Sequence, residues 1–165
     1  MRYSLISIFI RTLMIIVLCL YYTGIGYAEQ KLNMGGWEME GAYNKHFNVS
    51  ELDEFKGVVV KIMEVIPLPG MSPGVGMIVR ERGEGEEYMV HVCPLWFAKP
   101  KNTGIKKGDT VKVRGVLAEI NGKDVFMASK IKKGNSFEFK VRLTRDGKPF
   151  WTMTQEELAK ERAGR

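Results

Sequence analysis

The chain has 165 residues, of which 45% are hydrophobic and 27% are charged, and its formal net charge is +6. This length is sufficient for one domain with a hydrophobic core of its own. The positive charge is mild, so it suits solubility or an anionic partner and is not by itself the signature of a nucleic-acid-binding protein.

The start of the chain, residues 1–28, has the layout of a secretory signal peptide. Arg2 and Arg11 are its only charged residues, and the apolar run 13–22 precedes small residues that end at Ala28. The alternative is a retained membrane anchor. A membrane-spanning helix needs about 20 apolar residues, and Arg11 makes this run shorter than that, which favours the signal peptide. We therefore expect cleavage after Ala28 and a mature protein that is periplasmic or secreted.

Cleavage at that point would leave 137 residues and a single cysteine. Of the 25 basic residues, 23 would remain against all 19 acidic residues, a net charge of +4. Because Cys19 lies in the leader, Cys93 would have no partner for an intramolecular disulfide. Burial as a small apolar residue, a metal site and an intermolecular disulfide are the three roles open to such a thiol.

Residues 29–54 contain glycines and have no clear hydrophobic period, which predicts an N-terminal arm. The aromatic residues Trp37, Tyr43 and Phe47 are expected to anchor this arm on the remainder of the protein. From Phe55 onwards the side chains alternate with a period of two, which is typical of β-strands.

Strands and turns then follow one another to the last twenty residues. The predicted strands begin at Phe55 and then cover residues 76–82, 86–93, 110–120, 123–133 and 136–143. The pair Asn121-Gly122 predicts a type I′ hairpin turn between two of them. Thr154 and Glu157 have the spacing of a capping box, which predicts a helix within residues 152–165.

This strand order predicts an all-β fold, a small OB-like Greek-key barrel over residues 55–151 with an N-terminal arm and a short C-terminal helix. Three strands come first, an aromatic connector over residues 94–100 follows, and a hairpin completes the set, which is the order of an OB fold. An SH3-like barrel or an open sandwich is the alternative.

Met89, His91 and Cys93 are candidate metal ligands. Side chains two residues apart on a strand point to the same face, so these three would share one face and Val90 and Val92 the other. Histidine and soft sulfur ligands suit copper(I) or zinc. The alternative is that methionine fills gaps in the core and that His91 forms a hydrogen bond with a neighbouring group. A structural zinc site needs four ligands, and the chain lacks the cysteines for one.

The aromatic connector supplies a second candidate site. Trp96 and Phe97 lie close in sequence to Lys99 and Lys101. Aromatic rings beside cations can stack on bases or sugars, as the surfaces of OB folds do. The alternative is that both rings cover an open end of the barrel, and export would make nucleic acid an unsuitable ligand.

Basic residues recur with a period of two on the later strands, and no catalytic set accompanies them. Lys112 and Arg114 lie on one predicted strand and Lys130 and Lys132 on the next, which indicates a solvated outer face or a site for an acidic partner. The chain has two histidines, and no Ser/His/Asp arrangement can be built around either one. We therefore expect a protein that is not an enzyme and has no cofactor.

Several motifs resemble those of exported bacterial OB-fold proteins of uncharacterised function, whose relatives include magnetosome-associated proteins. The resemblance covers roughly residues 43–151. Such proteins often have glycine before the Pro-x-Trp step, where this chain has Cys93. The motifs that carry the resemblance are Lys56-Gly57-Val58-Val59, Gly70-Met71-Ser72-Pro73-Gly74-Val75, Val90-His91, Pro94-Leu95-Trp96-Phe97, Ile105-Lys106-Lys107-Gly108-Asp109 and Arg145-Asp146-Gly147-Lys148-Pro149-Phe150-Trp151.

Together these features favour an exported, non-catalytic binding or assembly module that docks on an envelope protein partner. The arm and the C-terminal helix would be its docking elements, no nucleic acid would be bound, and membrane contact would occur only through the partner or an uncleaved signal. One alternative is a periplasmic protein that binds a soft metal, copper or zinc. Another is a protein that binds an oligosaccharide or another anionic ligand. Fold alone does not choose among these functions.

Overall fold

The computed structural model describes residues 33–83 and 85–163. The predicted signal peptide and its cleavage site lie outside these residues, as does the beginning of the predicted arm. Within the described part of the chain, no helix has both the length and the apolar character needed to cross a membrane.

The described residues are mostly β-structure, as the sequence predicted. Six strands are present: β1 (Leu52–Val65), β2 (Gly74–Glu81), β3 (Glu87–Pro94), β4 (Thr110–Ile120), β5 (Lys123–Lys133) and β6 (Phe137–Lys140). The α-helix near the C-terminus, α1, covers Gln155–Ala163. Four short 3₁₀ helices connect these elements, at Asn44–His46, Val49–Glu51, Pro100–Asn102 and Phe150–Thr152.

The six strands form one sheet in the order β3-β2-β1-β4-β5-β6, and all neighbours in that order are antiparallel. β3 also pairs with β5 in parallel, through Val90 opposite Phe126 and His91 opposite Met127. The pairings β1–β2–β3–β5–β4 therefore return to β1, and these five strands supply most of the buried core.

Three shifts of register bend the strands of this circuit. One lies between Val59 and Lys61 on β1, a second follows His91 on β3, and a third follows Ala128 on β5. Each places an extra residue in one strand, which locally increases twist. Gly115 lies opposite the third shift, and a Cβ there would overlap the carbonyl of Met127. Only glycine lets β4 and β5 approach so closely at this point.

The β4–β5 hairpin was predicted to the residue. Asn121 and Gly122 have φ of 53° and 69°, and φ is positive at both central residues of a type I′ turn. Asn121 is the described non-glycine residue with positive φ, and asparagine tolerates that conformation better than most residues. The turn twists in the same sense as the strands and so sets their register.

The described part of the predicted arm belongs to the core. Trp37 is fully buried, Tyr43 is 1% exposed, and Phe47 packs against the same cluster, so the predicted anchoring role of these aromatic residues is confirmed. β1 begins at Leu52, and residues 33–51 are part of the same compact unit as the strands. The described arm residues are therefore part of the domain that the strands form.

The C-terminal helix α1 begins at Gln155, directly after Thr154 as the capping box predicts, and a 3₁₀ turn at Phe150–Thr152 precedes it. The capping box is confirmed: the backbone N–H of Glu157 donates to Thr154 Oγ1 at 3.2 Å, and that of Thr154 donates to Glu157 Oε2 at 2.9 Å. Leu158 is buried against Leu143 and Phe150 in a small second cluster, which fixes α1 to the segment after β6.

Candidate functional site

Met89, His91 and Cys93 all lie on β3, as predicted, but strict alternation does not hold along it. His91 is opposite Gly76 on β2 and Cys93 is opposite Val75, so Val92 is an extra residue between them. A bulge of this kind interrupts the alternation of side chains. The single face predicted for all three side chains is therefore interrupted at Val92.

Of the three candidate ligands, His91 lies within hydrogen-bond reach of Tyr43. The Tyr43 hydroxyl and His91 Nδ1 are 3.4 Å apart in a long hydrogen bond, and their rings are 6.0 Å apart. Burial raises the pKa of the Tyr43 hydroxyl, and the charge of a Cys93 thiolate would raise it further. Met89 is half-buried and packs against the hydrophobic core.

His91 and Cys93 are each held in their neutral form. His91 is 6% exposed, and burial lowers its pKa from 6.5 to about 4. Burial raises the pKa of the Cys93 thiol to about 12. The thiol Sγ donates a weak hydrogen bond to the carbonyl of Ala98 at 4.0 Å. A buried neutral thiol packs as a small apolar residue, and it is not a nucleophile at neutral pH.

Within the described residues, no three His, Cys, Asp or Glu side chains lie close enough together to hold a metal ion. A soft-metal site on β3 would therefore depend on the thioether of Met89 in addition to His91 and Cys93. Neutral imidazole and thioether are ligands for copper(I), whereas the thiol must lose its proton before it binds.

Arg142 is a buried cation that sequence reasoning missed. It is 2% exposed, and its guanidinium lies 4.7 Å from the ring centres of both Phe47 and Trp151. Nη2 donates to Asn44 Oδ1 at 2.7 Å, whereas the buried Nε has no hydrogen-bond partner among the described residues. Burial lowers the pKa of this group to about 10, so it stays charged at neutral pH.

The aromatic connector places its two rings differently. Trp96 is 50% exposed, whereas Phe97 is half-buried and packs against Trp151 with ring centres 6.0 Å apart. Lys99 and Lys101 are both exposed, beside and within the 3₁₀ turn that ends the connector. Of the two predicted stacking rings, Trp96 is therefore the more accessible to a ligand.

The outer side of β1, β4, β5 and β6 has an excess of basic residues, and we call this surface the basic face. Cross-strand partners form two rows on it. The first row is Lys56, Lys112, Lys132 and Glu138, and the second row is Glu54, Arg114, Lys130 and Lys140. The two rows hold six cations and two carboxylates.

Two adjoining hollows run along the basic face. One, of about 320 Å³, is lined by Glu54, Lys112, Arg114, Lys130 and Lys132. The other, of about 360 Å³, is lined by Lys56, Arg82, Thr110, Val111, Lys112, Lys132, Gly134 and Asn135. Since Lys112 and Lys132 line both, the two hollows adjoin at these side chains, and we call the pair of hollows the trough.

The charges of the basic face interact with one another. Partial burial lowers the pKa of Lys130, Glu138 opposes that effect, and the neighbouring cations Lys132, Arg114 and Lys140 lower the pKa further. Glu138 Oε2 lies 3.3 Å from Lys132 Nζ and 3.9 Å from Lys130 Nζ, so one carboxylate is shared by two cations.

Comparison with known proteins gives one family. The model of the MamS/MamX magnetosome protein family matches residues 51–138, which is more than half of the chain. This confirms the part of the predicted resemblance that concerns magnetosome-associated relatives. No curated protein matches the chain. The matched region contains β1 to β5 and the basic face as far as Glu138, and it excludes Trp37, Tyr43 and Arg142.

Proposed function

Because the chain belongs to the MamS/MamX magnetosome protein family, we propose that it is an exported, non-catalytic binding or assembly module that docks on an envelope protein. The observation that carries this proposal is the excess of positive charge on the basic face, which has six cations and two carboxylates. Charge that a protein does not balance within itself steers an oppositely charged partner to that surface. The family's description also makes a magnetosome protein a candidate for this partner.

The proposed architecture is a small OB-like Greek-key barrel. Three features support it: the antiparallel run β1–β2–β3, the connector that follows, and the β4–β5 hairpin that returns beside β1. The parallel pairing of β3 with β5 supports closure of the sheet on itself. Full closure removes exposed strand edges, which suits a module that must stay soluble until it docks.

The chemistry of the buried groups supports a binding function over catalysis. A catalytic base needs a pKa near the working pH, and a catalytic thiol needs to ionise. The pKa of His91 is about 4 and that of Cys93 is about 12, so both stay neutral over the physiological range. Their positions suit packing and hydrogen bonding inside the domain.

Site-specific photocrosslinking in the native host tests the docking function. A benzoylphenylalanine in place of Lys132 should form a discrete adduct with one envelope protein, identified by mass spectrometry. The same probe in place of Lys45, which is exposed on the arm, serves as the control and should not form that adduct. Identical adducts from both positions, or none from either, would contradict the proposal.

Export is tested separately by intact-mass analysis of the protein from its native host. We expect a mature species that begins at Glu29, because Ala28 and the small residues before it fit the peptidase. A species that still has residues 1–28 would instead identify a membrane-anchored form, in which the basic face acts from the membrane surface.

A soft-metal function is the second candidate, favoured by the position of His91 and Cys93 on one strand, where both side chains are buried. Calorimetric titration with copper(I) and with zinc tests it, and Met89→Leu should weaken any copper(I) binding while preserving the side-chain volume. A flat isotherm with both ions would remove this candidate.

An oligosaccharide or other anionic ligand is the third candidate, favoured by the half-exposed ring of Trp96 and the exposed Lys99 three residues further along the chain. Such a ligand would stack on the indole, so binding should quench or shift the emission of Trp96. Loss of that change in Trp96→Ala, with binding lost as well, would support this candidate.

A further inference from the structure

We infer that the basic face binds an extended, acidic segment of the partner protein, one rich in aspartate and glutamate. This inference rests on the docking function proposed above and specifies its site and the chemistry of its partner. Three features of the basic face support it: its like-charge pairs, the few carboxylates that balance them, and the spacing of its cations.

Like charges lie directly opposite each other across the strands of this face. Lys112 on β4 is the register partner of both Lys56 on β1 and Lys132 on β5, and Lys130 on β5 is the partner of Arg114 and Lys140. Directly opposed like charges destabilise a sheet. Four such contacts side by side are therefore an internal cost that an anionic partner would relieve.

The carboxylates of the face are already engaged. Glu54 forms an ion pair with Lys112, and Glu138 is shared by Lys130 and Lys132. Among the residues that the structure describes, Lys56 and Arg114 form no ion pair. An incoming carboxylate would meet these two cations without displacing an existing partner.

The spacing of the cations fits an extended peptide. Alternate residues along a strand are about 6.6–6.8 Å apart and neighbouring strands about 4.8 Å apart. Alternate side chains of an extended ligand have the same 6.6–6.8 Å repeat, so carboxylates on one side of it can reach Lys112 and Arg114 in turn. The trough along these residues, shared through Lys112 and Lys132, supplies a path of that direction.

Other anionic surfaces fit less well. A bilayer is flat, whereas this face is hollowed. Within the described part of the chain, Val58 is the large apolar side chain exposed on this face, so the face offers little apolar surface for insertion into a bilayer. Single-stranded nucleic acid is usually held by aromatic rings on which its bases stack. The two rows and Val58 contain no such ring.

Fluorescence anisotropy with a labelled peptide of consecutive glutamates tests the inference on the purified protein. The double variant Lys112→Gln, Lys132→Gln should bind about tenfold more weakly, since each exposed ion pair contributes about a two- to fivefold change. The matched control, Lys45→Gln with Lys160→Gln, removes the same charge elsewhere and should bind as the wild type does. Binding should also weaken as salt is raised.

A thermal melt excludes misfolding as the cause of lost binding. The double variant Lys112→Gln, Lys132→Gln removes opposed like charges but also the ion pairs with Glu54 and Glu138, so the two effects offset each other and the midpoint should change little. Tighter binding to phosphatidylserine vesicles or to an oligonucleotide than to the glutamate peptide would overturn the inference, as would equal loss of binding in the matched control.

The two proposals can fail separately. If Lys132 crosslinks to an envelope protein in the host and the glutamate peptide neither binds nor competes, the docking function stands and the acidic-segment inference is wrong. If no crosslink forms at Lys132, both are wrong, because the inference depends on docking through this face.

Discussion

His91 connects the protonation of a single buried residue to the stability of the whole domain. Its pKa is about 4 in the folded chain and 6.5 when it is exposed, so between these values the unfolded chain binds a proton that the folded chain does not. We therefore expect stability to fall as pH is lowered from 6.5 towards 4, by up to about 3 kcal/mol, and then to level off.

Urea denaturation between pH 4 and pH 7 measures this effect. His91→Gln should lack that part of the pH dependence, whereas the same change at His46, which is exposed, should retain it. A wild-type stability that stays constant over this range would show that His91 is accessible to protons in the folded state.

Arg142 is held by the shape of its guanidinium as much as by its charge. A lysine ammonium cannot stack between Phe47 and Trp151 as a planar group does, and it cannot reproduce the fork geometry at Asn44. Arg142→Lys should therefore destabilise the protein by about 1–3 kcal/mol in urea denaturation. Arg145→Lys, at an exposed position three residues away, should change stability little; equal losses in both would contradict the stacking argument.

The strand that holds the candidate ligands could be predicted from the sequence, whereas the environment of Arg142 could not. Met89, His91 and Cys93 all lie on β3, but the extra residue Val92 interrupts the alternation along it. The aromatic enclosure of Arg142 is assembled from side chains about a hundred positions apart, since Asn44 precedes it by 98 residues. Nothing local distinguishes Arg142 from an ordinary exposed arginine.

At the scale of elements, the β4–β5 hairpin depends on its two turn residues. Gly122 has φ of 69°, which strains a β-branched residue. Gly122→Val should lower the free energy of unfolding by about 1–3 kcal/mol. Gly122→Asn is the matched control, because asparagine adopts positive φ more readily, and it should cost less. Equal denaturation midpoints for wild type and Gly122→Val would contradict the role of the turn.

Strand bounds could be predicted from the sequence, whereas the positions of the β-bulges could not. The bounds of β4 and β5 followed from alternation and the Asn121-Gly122 turn, both of which are local. The extra residues after His91 and Ala128 depend on the partner strand, which no local pattern specifies. For this reason a face predicted from alternation cannot be extended across a bulge.

On the scale of the whole molecule, the two ends of the described chain hold each other. Trp151 Nε1 donates to the carbonyl of Trp37 at 2.9 Å, and Asn44 Nδ2 donates to the same carbonyl at 3.0 Å. Trp37 Nε1 in turn donates to the carbonyl of Ser72. Except for Ser72, these residues lie outside the family match. Segments from both ends of the described chain are therefore joined by hydrogen bonds to each other and to the matched region.

Loss of these contacts between the two ends should lower the stability of the whole domain. Trp37→Ala deletes a fully buried ring and leaves a cavity against Tyr43 and Trp151, so we expect a loss of about 3–5 kcal/mol in urea denaturation. Trp96→Ala is the matched control, since its ring is half exposed, and it should stay within about 0.5 kcal/mol of the wild type. A small effect at Trp37 would show that the strands are stable without the arm.

The placement of the three tryptophans also gives the protein two optical reporters without a dye. The rings of Trp37 and Trp151 are 5.6 Å apart and perpendicular, close enough for their ultraviolet transitions to couple and to give a circular dichroism signal that disappears when the ends separate. Trp96 is open to solvent, so iodide should quench its emission selectively. Spectroscopy on the unlabelled chain can therefore follow unfolding and contact at the aromatic connector as two separate events.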